Sequence, residues 1–284
     1  MVTINNLSIN LRSYLKEHNI ENYSFEARCI IESVLELTHE QLIANQNAVV
    51  NSAQVALIQK AADKRVSGYP LQYILGEWEF FGLKFFVGEG VLIPRQDTET
   101  LVSCVINNAK VRRNPKIIDL CSGSGCVAVS VSEYVKNSSV CAVEHSPVAL
   151  SYLLRNIELN KSEVEAYDGD VLNNEFCGNY SEIDIISCNP PYLTPDDLHN
   201  LQPEVRFEPV MALDGGSDGL MFYKRITSLW KTTLKNGGMI IYEIGIGQEN
   251  DVSDIMTSEG FTDIKFEKDL NGIIRVVSGV YKII

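Results

Sequence analysis

The chain contains no C-x-x-C pair, no apolar run approaching about 18 residues, and no dense stretch of Lys or Arg. Each absence removes a class of protein. Without an 18-residue apolar run no membrane-spanning helix is expected, and the opening residues carry no apolar core of the secretory type. The seven cysteines (Cys29, Cys104, Cys121, Cys126, Cys141, Cys177, Cys188) are odd in number, and several lie inside apolar runs. They read as reduced core thiols of a cytoplasmic protein, not as a disulfide framework or zinc ligands. The four histidines (His18, His39, His145, His199) are scattered, none at ligand spacing from another His or a Cys, so no metal site is expected. Internal repeats and low-complexity tracts are absent as well.

What the chain does hold is acidic charge. Its 37 Asp and Glu outnumber 24 Lys and Arg, for a net charge of −13. Such a molecule lacks the field that drives sequence-independent binding to duplex nucleic acid. At 284 residues with 45% hydrophobic and 21% charged residues it is globular, long enough for one large domain or a main domain with a small companion.

Hydrophobic spacing divides the chain into three. Residues 1–75 repeat apolar positions at helical steps: Leu7, Leu11, Tyr14 and Leu15; then Ile30, Ile31, Val34, Leu35 and Leu37; then Val55, Leu57, Ile58 and Ala62. Capping signals at Thr38–Gln41 and from Asn51 separate them, predicting a bundle of three or four helices. Residues 76–93 turn aromatic and strand-like, with Trp78, Phe80, Phe81, Phe85 and Phe86 broken by Gly82 and Gly88, and predict a β-hairpin linker. From 94 to 284 strands alternate with helices. Strands are expected at 116–120, 140–144, 163–167, 183–188 and 238–243, and helices at 97–109, 126–136, 147–159, 219–235 and 248–259. This predicts an α/β domain with a doubly wound, mainly parallel sheet of Rossmann-like type, closed by an antiparallel hairpin around Asn271-Gly272.

Two segments carry chemistry. Asp119-Leu120-Cys121-Ser122-Gly123-Ser124-Gly125 leaves the first of these strands and opens a helix, with Glu144 ending the next strand 19 residues after Gly125. Glycines let backbone approach a ligand, and a carboxylate at the following strand end accepts bonds from both ribose hydroxyls of an adenosine cofactor. Gly123-x-Gly125-x-x-Ala128 also fits a dinucleotide fingerprint, so an NAD enzyme remains open here, as does a tight turn with no ligand. Asp119, placed to meet an ammonium group, tilts the reading toward S-adenosylmethionine, and nothing resembling a nicotinamide-site acid/base dyad follows.

The second segment is Asn189-Pro190-Pro191-Tyr192, directly after strand 183–188. Consecutive prolines fix φ and lack N–H donors, so the chain cannot continue the sheet. Rigid backbone there can hold the Asn189 carboxamide and the Pro190 carbonyl as two acceptors for a planar NH₂ group, with Tyr192 stacked as a wall. Accepting both N–H bonds would localise electron density on that nitrogen and aim it at an electrophilic methyl. A plain Pro-Pro turn is the bland alternative. The combination resembles the amino-methyltransferases, which act on adenine, cytosine or protein glutamine, and the tetrapeptide alone does not separate these branches.

Longer stretches do. Arg65-Val66-Ser67-Gly68-Tyr69-Pro70 through Gly76, Phe80-Phe81-Gly82, Val91–Arg95, Glu204–Pro209, Asp214-Gly215-Gly216 with Gly219-Leu220, and Glu243-Ile244-Gly245 with Gln248 closely resemble the release factor glutamine methyltransferase family of HemK/PrmC type. The resemblance runs from about Phe25 to the C-terminal hairpin. It implies a class I methyltransferase domain with a seven-stranded sheet, a helical N-terminal domain, and methylation of the glutamine amide in the Gly-Gly-Gln motif of peptide-chain release factors. By position it assigns Cys121, Ser122, Gly123, Ser124, Gly125 and Glu144 to the methionyl and ribose parts of S-adenosylmethionine, Asp170 and Val171 to adenine, and Asn189, Pro190, Pro191 and Tyr192 to the glutamine. The chain departs from the family pattern in having Glu144 for Asp, Cys121-Ser122 for Gly-Thr, and Gln96 for Pro. Residues 1–75 hold six Lys/Arg and seven Asp/Glu, which does not describe a DNA-reading module. Those helices are either a docking surface for the release factor or a stabilising cap on the hairpin. Glu208 and Glu243 read as structural or substrate-positioning carboxylates, with Arg95 able to pair with one of them. The rival activities are an adenine amino-methyltransferase acting on RNA or DNA, an NAD-linked oxidoreductase, and a degenerate methyltransferase fold kept for binding.

Overall fold

The computed structural model describes residues 2–282. The chain forms two compact units: Met1–Glu77 with Gln202–Phe207, and Trp78–Leu201 with Glu208–Ile284.

The first unit is helical. A two-residue strand, β1 (Val2–Thr3), pairs antiparallel with β2 (Val49–Val50). Between and after them run α1 (Ile4–Glu17), α2 (Tyr23–Leu35), α3 (His39–Ala44), α4 (Ser52–Val66) and α5 (Leu71–Leu75). Thr38 and Asn51 close reciprocal capping boxes with Gln41 and Gln54, satisfying donors that a helix start leaves unpaired. Leu7, Leu11, Leu15, Ile30, Ile31, Ile58 and Ala62 are buried as their spacing predicts, but Leu57 faces solvent. The helices number five because the two shortest, α3 and α5, fall below the length at which periodicity is readable.

The second unit begins inside β3 (Glu77–Phe80), which forms a hairpin with β4 (Leu83–Phe86), turning at Phe81 and Gly82, both at positive φ. Then follow α6 (Thr98–Ala109), β5 (Lys116–Leu120), α7 (Cys126–Tyr134), β6 (Ser139–Glu144), α8 (Pro147–Leu159), β7 (Glu165–Asp168), α9 (Asn174–Cys177), β8 (Ile183–Cys188), α10 (Pro195–His199), α11 (Met221–Trp230), β9 (Leu234–Glu243), α12 (Glu249–Ser258), β10 (Phe261–Lys268) and β11 (Ile274–Tyr281). The seven strands lie in the order β10-β11-β9-β8-β5-β6-β7, parallel except for β11, which is antiparallel to both neighbours.

Adjacent residues of one strand point to opposite faces, and both faces of this sheet are covered. Ile117 packs with α6, α7 and α8 through Leu101, Val127 and Leu153, while Ile118 packs with α11 and α12 through Ile226, Trp230 and Met256. That is why Ile117-Ile118 of β5 and Ile185-Ile186 of β8 are apolar at consecutive positions. The helix expected over 219–235 is shorter. Gly219 sits at φ +70°, and beyond Trp230 the hydroxyls of Thr232 and Thr233 donate to the Leu229 and Trp230 carbonyls at 2.9 and 2.8 Å. Such local bonds compete with helix propagation, and the chain enters β9 four residues earlier than its apolar run suggests.

Candidate active site

Strand order reverses between β5 and β8, the place where a doubly wound sheet opens a crevice beyond its C-terminal edge. Leu120 pairs in register with Cys188, so the glycine loop and the Asn189 segment leave the sheet side by side. A cavity of about 270 Å³ lies there. Asp119, Cys121, Ser122, Gly123, Ser124, Glu144, Asp170, Val171, Asn189 and Pro191 all line it. Three other residues singled out in the sequence are not among its lining. Gly125 is the N-cap of α7 at φ +81°, where a Cβ would meet Leu153 Cδ1 at 2.3 Å. Pro190 is buried, and Tyr192 is half-buried against the core on the α11 side of the sheet.

Asp119 is buried at the end of β5. Its Oδ1 accepts the Ser187 hydroxyl at 2.8 Å, while its Oδ2 has no hydrogen-bond partner. Burial pushes its carboxyl up to about 7, against the bonds from Ser187 and Ser122. An orphaned acceptor on the cavity wall calls for a cationic partner. Glu144 is held differently: its two oxygens accept the backbone N–H groups of Gly123 and Ser146, each at 2.7 Å. Cys121 occupies the left-handed region at φ +57°, a conformation that glycine adopts more readily.

The Asn189 carboxamide is anchored from behind. Its Nδ2 donates to the Thr98 hydroxyl at 3.4 Å, and the buried Glu243 carboxylate, whose Oε2 has no hydrogen-bond partner, lies at the end of β9. Burial pushes Glu243 up to about 7, with the nearby Thr98 hydroxyl and the Arg275 charge opposing. Glu208, also buried, accepts the Ile93 N–H at 3.0 Å and pairs with Arg95, fixing the loop that forms another wall.

The remaining motif segments clasp Tyr192. Leu193 donates its N–H to the Leu213 carbonyl and accepts that of Gly215, both at 2.9 Å. Gln248 donates Nε2 to the Tyr192 carbonyl at 3.1 Å and accepts the Gly245 N–H at 2.9 Å. A Cβ on Gly215 would come within 2.6 Å of Tyr192 Cα, and one on Gly219 within 2.5 Å of Tyr192 O. Only glycines permit this approach.

Sequence reasoning missed Thr98, Ser187, Pro209, Met211 and Phe222. Thr98 and Ser187 hydrogen-bond Asn189 and Asp119, and Thr98, Pro209, Met211 and Phe222 line the cavity. Two left a signal: Thr98, two residues after Gln96 in the stretch Pro94-Arg95-Gln96-Asp97-Thr98-Glu99 that resembles a family motif, and Pro209, the last residue of the Glu204–Pro209 motif.

The strand order and the pair of segments at its switch point define a class I methyltransferase. The fold is similar to that of a methyltransferase from Pyrococcus furiosus, with a TM-score of 0.54 and 17% identity over 82% of this chain and all of that one. Residues 7–76 match the PrmC N-terminal domain and residues 96–202 the methyltransferase small domain. The release factor glutamine methyltransferase of Geobacter sulfurreducens is 39% identical over 94% of this chain and 93% of its own. That of Clostridium acetobutylicum is 38% identical over 94% and 95%. The chain belongs to the release factor glutamine methyltransferase family, which sets aside the oxidoreductase reading.

Proposed function

We propose that this enzyme methylates the side-chain amide nitrogen of the glutamine in the Gly-Gly-Gln motif of peptide-chain release factors, with S-adenosylmethionine as donor. The observation that carries the reading is the placement of Asn189 and the orphaned Asp119 oxygen on one cavity wall. The donor supplies an electrophilic methyl on a sulfonium and carries an ammonium group. Asp119 Oδ2 is the acceptor for that ammonium. Glu144, with one backbone bond on each oxygen, keeps lone pairs free for the ribose hydroxyls, and Asp170 and Val171 flank the adenine.

On the substrate side, Asn189 Oδ1 and the Pro190 carbonyl accept the two N–H bonds of the glutamine amide. That nitrogen is a poor nucleophile because its lone pair is delocalised. Two fixed acceptors hold it in plane and raise its electron density, and Pro190-Pro191 prevents the acceptors from relaxing. Tyr192, clasped by Gln248 and Gly215, stacks on the amide. As the nitrogen takes the methyl it becomes strongly acidic and loses its proton to water, so no general base is required of Glu208 or Glu243.

The helical unit is the docking surface for the release factor in this reading. The test is methyl transfer from labelled donor to a purified bacterial release factor beside the same factor with its Gly-Gly-Gln glutamine changed to alanine. Label entering only the intact factor is expected. Label entering RNA or DNA but neither factor would overturn the reading.

A further inference from the structure

One face of α8 carries Val148, Tyr152 and Asn156 at four-residue steps, with Asn160 as the C-cap of the helix. Strand β4 and the segment after it run along that face. Asn160 Nδ2 donates to the Lys84 carbonyl at 2.9 Å. Asn156 brackets Phe86, accepting its N–H at 2.6 Å and donating to its carbonyl at 3.1 Å. Further on, a Cβ on Gly88 would come within 2.2 Å of the Tyr152 hydroxyl, and one on Gly90 within 2.6 Å of Val148 Cγ1. From Gly90 the chain enters the cavity wall, which it lines with Leu92, Ile93, Pro94 and Arg95. Asn156 is fully buried and lies outside that lining, yet its Nδ2 also donates to the Ser124 carbonyl of the glycine loop at 2.9 Å.

We infer that Asn156 is a positioning residue for the donor site: it ties the glycine loop to segment 86–95 and so sets the spacing of two cavity walls. The inference rests on the reading of this loop as the donor's site. A carboxamide has two N–H hydrogens and one carbonyl oxygen. Here the hydrogens go to Phe86 and Ser124 and the oxygen takes the Phe86 N–H, so only one orientation satisfies all three bonds. The Ser124–Gly125 peptide is held at its other end too, its N–H donating to the Ser122 carbonyl at 2.8 Å. With Gly123 bonded to Glu144 at 2.7 Å, two side chains pin the loop, one at the end of β6 and one on α8. Where burial is complete, no water replaces a lost partner. Removing the carboxamide therefore frees the Ser124 peptide to turn and segment 86–95 to drift.

Asn160 supplies the contrast. It ties the same hairpin to the same helix, but its Nδ2 bonds go to the Lys84 and Asn156 carbonyls and not to the glycine loop. A purely structural role would make the two asparagines equivalent: each loss would lower stability and leave the donor affinity of the folded protein alone. The positioning role separates them. Two amides of the hairpin report the difference without any substitution. The Phe86 N–H ends on Asn156, whereas the Phe81 N–H ends on Glu99 at 3.1 Å.

The experiment measures S-adenosylmethionine affinity by calorimetry below the unfolding transition, donor KM and kcat with the release factor, and amide hydrogen exchange. Asn156→Ala is expected to weaken donor affinity and raise donor KM by about tenfold or more, with kcat at saturation within about threefold of the parent. Asn160→Ala should leave donor affinity within about twofold. In the unmodified protein, saturating donor should slow exchange at the Phe86 N–H about tenfold or more and leave the Phe81 N–H within about twofold. That measurement stands even if Asn156→Ala fails to fold. The inference is overturned if folded Asn156→Ala binds the donor as the parent does, if Asn160→Ala weakens it equally, or if exchange at Phe86 is indifferent to the donor. A parent protein that binds no S-adenosylmethionine removes the donor-site reading itself, whereas donor binding with Phe86 unmoved removes only the present inference.

Discussion

Glu144 accepts the backbone N–H of Gly123 at 2.7 Å, tying the end of β6 to the middle of the loop that follows β5. The second oxygen does the same for Ser146 at the start of α8. The carboxylate therefore shapes the glycine loop as well as facing the cavity. Glu144→Ala removes both bonds and leaves two N–H groups to be satisfied by water. It should weaken donor binding by about 10- to 100-fold, corresponding to about 1.4–2.8 kcal/mol. Titration calorimetry with S-adenosylmethionine checks this, and an affinity unchanged within twofold would remove Glu144 from the cofactor site.

Asp119 couples donor binding to protons. Its folded carboxyl is raised to about 7 from an ordinary value near 3.8, so between those values the folded state holds a proton that the unfolded chain has released. Stability from this group is thus full below about 4 and is lost as pH rises through 7. An ammonium bound to Oδ2 favours the charged form and reverses the shift. Binding near pH 6.5 should then release close to one proton, and donor affinity should rise with pH until about 7. Calorimetry in buffers of different ionisation enthalpy reads the proton directly. Asp119→Asn should abolish the release, weaken binding, and make the free enzyme less sensitive to pH between 5 and 8. Glu243, raised in the same direction, leaves a residual slope in that variant.

Much of this arrangement was legible in the sequence, and the reason is local. Asp119 through Gly125 and Asn189 through Tyr192 are short, punctuated by glycine or proline, and sit where apolar runs stop, so their place at strand ends followed from pattern alone. The residues behind them were not legible. Thr98 reads as an ordinary first residue of a helix, and Ser187 as a polar interruption in β8, until the fold sets them against Asn189 and Asp119. The glycines at 215, 219 and 245 announced a motif but not its purpose, which is clearance for the Tyr192 backbone at 215 and 219 and for the Gln248 side chain at 245. Leu57 fitted its stripe and still faces solvent, because a 3.6-residue period marks a face without fixing its width.

Gly215→Ala tests the clasp around Tyr192. The added Cβ would meet Tyr192 Cα at 2.6 Å, Tyr192 C at 2.8 Å and Gly219 Cα at 2.9 Å, all backbone atoms that cannot rotate away. The 192–193 segment must shift. A displacement of about 1 Å next to the reacting amide costs about 100-fold in turnover, while the donor side, built on β5 and β6, is untouched. The expected result is a steep fall in kcat with donor affinity unchanged. Loss of both together would mean that the domain had been disrupted as a whole.

Cys121 offers a test of backbone strain at the cofactor loop. Its φ of +57° is tolerated by an unbranched side chain and strongly disfavoured for a β-branched one. Cys121→Val should destabilise the protein by about 1–3 kcal/mol, whereas Cys121→Gly should stay within about 1 kcal/mol of the parent, relief of strain offsetting the greater freedom of the unfolded chain. Chemical denaturation of the three proteins measures the difference. Equal stability of the valine variant would mean that the loop readily adopts another conformation.

In the helical unit, Arg65 is 5% exposed and pairs with the buried Glu26 and with Glu204. Gly68 and Tyr69, just beyond it, lie against Pro203 and Phe207, so the Arg65–Pro70 motif and residues 203–207 of the same unit form one structural cluster. Removing one partner of a buried ion pair strands the other. Arg65→Ala should therefore cost about 3–5 kcal/mol, since Glu26 would remain charged and unpaired. Replacing both, as Arg65→Met with Glu26→Leu, exchanges the pair for apolar packing and should recover most of that loss. If the double variant proved no more stable than Arg65→Ala, the arginine's contribution would lie in its bond to Glu204 and its packing, and not in neutralising Glu26.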